Sequence, residues 1–212
     1  MKILINKKEI IIALIIILFA TLLRSKDFIS GDFNYFLDQS RDLLLTREIV
    51  VNKDITLIGG RSGLGGIFHG PLWLYMIVPF FIISQGNPFY TLVPLYVFLN
   101  TTLVALSFLV GKKLYGTFAA TIFAVCIASS GILIDLSFNF SNSNNMPIVF
   151  LVYLFSAIQV LRGKDIYVAA LFLLVGLGFQ FESAFAIFLI PLSLLVFILN
   201  RKLPRFKYTI IG

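Results

Sequence analysis

The chain has one cysteine, one histidine and one tryptophan among 212 residues, and these scarcities close off several classes of chemistry. A lone Cys126 supplies no disulfide framework, no CxxC pair and no thiol metal site, and within the apolar stretch TIFAVCIASS it is expected to be a small buried hydrophobe. A lone His69 excludes an all-histidine zinc site. The glycine run IGGRSGLGGIFHG lacks a GK[ST] ending, follows no buried strand and does not fit GxGxxG before a helix, so it is not a phosphate-binding loop. No small-x-small cleavage site follows the first apolar segment, and its basic flank and apolar core therefore read as a retained membrane helix. No internal repeat or low-complexity linker interrupts the chain.

What the chain has in abundance is apolar surface. Hydrophobic residues make up 59% of it, 23 are phenylalanine, and the mean hydropathy is +0.98, beyond an ordinary soluble composition. The sequence is that of an integral membrane protein. Seven apolar blocks are candidates to cross: residues 9–23, 71–85, 89–111, 114–134, 147–161, 166–181 and 183–200. If all crossed, Lys112 and Lys113 would lie opposite the amino terminus, against the positive-inside rule. The block that does not cross is expected to be 71–85, short, interrupted by Pro79, and opening on Trp73 and Tyr75 as interfacial segments do.

With that block lying re-entrant or on the surface, the amino-terminal side carries Lys2, Lys7, Lys8, Lys112, Lys113, Arg162, Lys164, Arg201, Lys202, Arg205 and Lys207 against Glu9 and Asp165, a net of +9. The other side is left with −2, completing the formal +7. The basic balance thus reports topology in a cell membrane, with the amino terminus cytoplasmic, and nucleic acid is not an expected partner. The expected fold is an all-α polytopic bundle of about six transmembrane helices, one domain over residues 1–212 with a long outer loop over 24–88. The final YTIIG begins another apolar segment, so the chain is expected to be the amino-terminal portion of a longer protein, inactive alone if the remainder supplies acceptor binding.

Polar chemistry concentrates on the outer face. FNYFLDQSRDLLLTREIVV reads as an amphipathic helix of about 17 residues at the membrane surface. Asp38 and Asp42, four apart, share a helical face, with Arg41 in reach of Asp38. They form either a solvated surface or a site in which one carboxylate is a general base. The glycines after it allow tight turns that carry Arg61 and His69; the histidine reads more often as a structural hydrogen bonder than as a catalyst. Glu182, between apolar blocks, calls for a polar cavity or a partner. The loop NFSNSNN, with Asn144 and Asn145, reads equally as a sugar or head-group contact and as a polar turn.

In order and spacing, four stretches resemble the GT-C class of membrane glycosyltransferases. The likeness is to the glycosyltransferase 39 group, related to protein O-mannosyltransferases and the aminoarabinose transferase of lipid A. They are YFLDQSRDLL in the first outer loop, FHGPLWLY as an HPPLYY-like motif, the basic doublet of GKKLYG, and GLGFQFES near the fifth helix. The resemblance implies transfer of a sugar from a polyprenyl-phosphate donor to a lipid, glycan or protein acceptor on the outer face, with inversion. It implies Asp38 as the carboxylate that activates the acceptor, His69 as a lining of the donor pocket, and Arg61, Lys53 or Arg41 as an offset to phosphate charge. Asp42, Asn144, Asn145, Gln180 and Glu182 complete the expected binding residues. No metal or other cofactor is indicated, although the resemblance leaves a divalent metal open. Gln39 stands where the group has Glu, Gly70 where it has Pro, Asn144 and Asn145 where many members place a second Asp, and Gln180 and Glu182 where Lys or His is frequent. Two other readings of the same features are a membrane transporter or lipid flippase, for which broken segments and an intramembrane acid are expected, and a non-catalytic scaffold.

Overall fold

The structure, a computed structural model, describes residues 6–30, 36–63, 65–138 and 141–200. Lys2, Arg201, Lys202, Arg205, Lys207 and the YTIIG segment of the sequence reading lie outside the described residues. Among the described residues the regular structure is helical: α1 (Lys7–Ser30), α2 (Leu37–Arg47) continuing into a π turn (Glu48–Asn52), α3 (Leu72–Ile83), α4 (Pro88–Tyr115), α5 (Thr117–Ser129), α6 (Gly131–Phe138), α7 (Met146–Leu161), α8 (Tyr167–Phe181) and α9 (Ser183–Asn200). Three of the described helices are long and apolar enough to cross a membrane: Pro88–Tyr115, Asn142–Leu161, which joins a 3-10 turn to α7, and Ser183–Asn200. The chain packs as two compact units, Met1–Asn52 with Ile77–Asn144, and Lys53–Met76 with Asn145–Gly212.

The first unit is built on α1, α4 and α5. Ala120, Ala124 and Ala128 recur every fourth residue along α5 and form a stripe that packs with Ile16 and Ala20 of α1 and Val104 and Phe108 of α4. Small side chains let helix backbones approach closely, the usual route to helix association in apolar surroundings. A Cβ placed on Gly111 of α4 would sit 2.9 Å from the Ala120 Cα. Cys126 lies off that stripe and is exposed. The expectation of a buried cysteine fails because a helix packed along one narrow stripe leaves its opposite face open.

Two charged residues fix the directions of these helices. Glu9 accepts from Lys112 at the end of α4 and from Thr117 at the start of α5, and it exchanges hydrogen bonds with Asn6 in a reciprocal cap of α1. At the other end of α1, the buried Arg24 donates Nη1 to the Ala128 carbonyl at 2.8 Å and Nη2 to the Ile127 carbonyl at 3.1 Å. Hence α1 and α5 run parallel and α4 antiparallel to both. Lys112 therefore lies at the end of this unit that holds the amino-terminal flank.

Hydropathy predicts one helix over 114–134, but the chain forms α5 and α6 with Ser130 extended between them. The last carbonyls of α5, which a continuing helix would consume, are taken by the Arg24 guanidinium instead. The start of α4 follows its sequence closely: the Asn87 side chain accepts from the Tyr90 N–H at 3.1 Å, and Pro88 takes the first helical position, where no N–H is needed.

In the second unit α7, α8 and α9 pack together, and α8 and α9 are joined by the single residue Glu182. Pro191 removes one hydrogen bond inside α9. Nearby, Ser193 Oγ donates to the Leu189 carbonyl at 2.8 Å, and the Tyr153 hydroxyl of α7 lies 2.9 Å from Ser193 Oγ. Within 71–85 the chain forms the 12-residue α3, shorter than a spanning helix needs. Trp73, expected at an interface, is buried.

Candidate functional site

The sequence-predicted residues fall in both packing units and form two local clusters. The first is on α2. This helix buries Gln39, Asp42, Leu43 and Thr46 and leaves Leu37 and Leu44 exposed, so the amphipathic helix expected there turns a largely polar face inward. Burying a carboxylate on that face is costly unless it is paired. Arg41 provides the pairing: its Nε and Nη2 donate to Asp42 Oδ1 at 2.9 and 2.8 Å, while Nη1 donates to Asp38 Oδ1 at 2.9 Å.

The two acids therefore differ sharply in surroundings, with the Asp38 side chain 65% exposed and that of Asp42 5% exposed. The fully buried Tyr96 of α4 lies within electrostatic reach of Asp42, and its hydroxyl donates to the Ser141 carbonyl at 3.2 Å. Asn144 serves its own loop: Nδ2 donates to the Leu136 carbonyl, and Oδ1 accepts from Ser141 Oγ at 3.2 Å. Neither Tyr96 nor Thr46 was among the expected site residues. The signal for Tyr96 was a hydroxyl inside an apolar block, which needs a partner.

The second cluster is built by the glycine-rich stretch. Gly59 N–H donates to the His69 carbonyl at 2.9 Å, His69 N–H to the Gly60 carbonyl at 3.0 Å, and Ser62 N–H to the Ile67 carbonyl at 2.9 Å, with Arg61 and Phe68 paired as an antiparallel bridge. The tight turns expected of the glycines are thus part of a short hairpin. Its end docks on α8, where Gly70 N–H donates to the Phe179 carbonyl at 3.3 Å. A Cβ on Gly70 would meet the Gln180 amide, the movable end of a side chain, whereas a Cβ on Gly59 would overlap the Gly70 carbonyl oxygen, so backbone proximity requires glycine at position 59.

His69 is buried, and its Nδ1 faces the backbone N–H of Ser183 at 3.4 Å and the Ser183 hydroxyl at 3.3 Å. Ser183 is the first residue of α9, so the imidazole serves a helix N-terminus whose N–H groups lack intrahelical partners. An Nδ1 that accepts leaves the ring proton on Nε2. Glu182 is partly buried, with an extended backbone whose N–H donates to the Gly178 carbonyl at 2.7 Å. Gln180 packs against Gly70, Asn145 is buried at the start of α7, and Arg61 is exposed on the hairpin.

Asp38, Arg41 and Asp42 are thus brought together on α2, while His69, Gln180 and the backbone around Glu182 are brought together at the α8–α9 turn. Ser183 was missed because its role follows from where α9 begins. Among the described residues no three His, Cys, Asp or Glu side chains converge as a metal site. Compared with family models, curated proteins and solved structures, the chain finds no match.

Proposed function

We propose that the chain belongs to a multi-pass glycosyltransferase of the cell membrane, with about six spanning segments, its amino terminus cytoplasmic and its active face outside. The reaction moves a sugar from a polyprenyl-phosphate donor to a lipid, glycan or protein acceptor. Asp38 takes the proton of the acceptor hydroxyl. The acceptor oxygen then bonds to the anomeric carbon as the bond from that carbon to the phosphate oxygen breaks. The electron pair leaves with the lipid phosphate, and a single displacement of this kind inverts the anomeric configuration.

The observation that supports this reading is the asymmetric carboxylate pair on α2: one acid is exposed and held by a guanidinium, the other buried behind it. A general base must be accessible to the proton it removes and fixed in direction. Membranes carrying the full chain, supplied with undecaprenyl-phosphate-linked mannose or aminoarabinose, are expected to transfer sugar, and Asp38→Asn to lower the rate by about 10²- to 10⁴-fold. Undiminished transfer by that variant removes Asp38 from the mechanism.

The break between α5 and α6 favours a second reading, a lipid transporter, because interrupted helices mark substrate paths in such proteins. Reconstituted vesicles separate the two. Translocation of a fluorescent polyprenyl phosphate without sugar transfer favours transport, and transfer without translocation favours the enzyme.

A further inference from the structure

Adjacent residues on a helix do not face each other, yet Arg41 is bonded to its immediate neighbour Asp42. The guanidinium folds back along α2 so that Nε and Nη2 both meet Asp42 Oδ1, at 2.9 and 2.8 Å, leaving Nη1 for Asp38 at 2.9 Å. An exposed pair three residues apart is weakly held, because two long side chains sample many rotamers and water screens them. Here the arginine is fixed on its far edge by a carboxylate that is 5% exposed. The turn carrying that carboxylate is itself held, since Thr46 Oγ1 donates to the Asp42 carbonyl at 2.7 Å and both Thr46 and Leu43 are buried.

We infer that Asp42 is a positioning residue: its buried carboxylate orients Arg41, and Arg41 orients the exposed Asp38 carboxylate toward the acceptor. The inference rests on the reading of Asp38 as the base, but the clamp is a physical arrangement that is measurable without turnover. Arg41 acts through its fork. A lysine at this position would keep the charge and lose the geometry that spans two carboxylates.

The test uses the full chain in lipid nanodiscs and two readouts. The first is carbodiimide coupling of a glycine amide to Asp38, followed by peptide mass spectrometry, with the exposed Asp135 as an internal reference. Asp42→Asn is expected to raise Asp38 labelling about three- to fivefold by releasing the pair, with Asp135 unchanged. The second is transfer from an undecaprenyl-phosphate sugar. Asp42→Asn should lower kcat about tenfold at nearly constant KM, and the Asp38→Asn/Asp42→Asn double variant should be no slower than Asp38→Asn alone, because the residues act as one unit. Arg41→Lys should reproduce Asp42→Asn in both readouts, and Asp42→Glu should restore part of the loss.

Unchanged Asp38 labelling in Asp42→Asn overturns the clamp. So does a rise at Asp135 of equal size, which marks general loosening, or a multiplicative loss in the double variant. If Asp42→Asn does not yield folded protein, Arg41→Lys decides between the same outcomes. Selective Asp38 labelling together with full transfer by Asp38→Asn leaves the clamp standing and removes the base.

Discussion

The α2 segment and the 59–70 hairpin belong to the same long stretch between α1 and α4, yet they are held by different forces. On α2 one guanidinium bridges two carboxylates, one exposed and one buried. In the hairpin the backbone does the holding, through a ladder of N–H and carbonyl groups and a glycine packed against an amide. Ionic pairing leaves an exposed group free to meet a partner. Backbone pairing with close approach leaves little that can change. An exposed charged group is thus found on α2 and a constrained backbone in the hairpin.

The strongest way to break that comparison is steric. Gly59→Ala is expected to destabilise the protein by about 1–3 kcal/mol, because its Cβ would overlap the Gly70 carbonyl, read as a lower melting temperature in detergent. Gly70→Ala should cost less, because the Gln180 amide it meets can swing away, and a loss as large as that of Gly59→Ala would mean that the amide is held as firmly as the backbone. A smaller effect is expected of His69→Phe, which keeps the ring volume and removes the acceptor facing Ser183. The cost should be about 1 kcal/mol, seen as faster amide exchange in the first turn of α9.

The smallest effect sharpens the contrast. Asp38→Asn should leave stability within about 0.5 kcal/mol, since an exposed ion pair contributes little, while the proposed loss of sugar transfer is large. Equal losses of stability and activity at Asp38 would erase the distinction between the two regions.

Much of the helical layout was legible in hydropathy. The block over 89–111 appears as α4, that over 147–161 as α7 and that over 183–200 as α9. The block over 114–134 was not legible as two helices, because the donor that ends α5 is Arg24, more than a hundred residues away. Cys126 was misjudged for a related reason: an apolar neighbourhood in sequence does not say which face of a helix finds a partner.

For the site, sequence spacing placed Asp38, Arg41 and Asp42 together, since four residues make about one helical turn. It did not say which carboxylate is buried. That depends on what α2 meets, and Asp42 is the one turned inward, near Tyr96. His69 stood out as the single imidazole, but its partner Ser183 lies 114 positions on and was chosen by the hairpin docking on α8.

The sequence by itself determined the apolar helices, their caps and the pairing of residues a turn apart, because these depend on neighbours along the chain. Only the tertiary structure decided where a helix breaks, which acid is buried and which helix end the histidine serves. The helix break and the place of the histidine rest on a donor or acceptor brought from a distant segment, and the buried acid on what α2 packs against, because hydrogen-bond satisfaction in a buried place is settled by what arrives there.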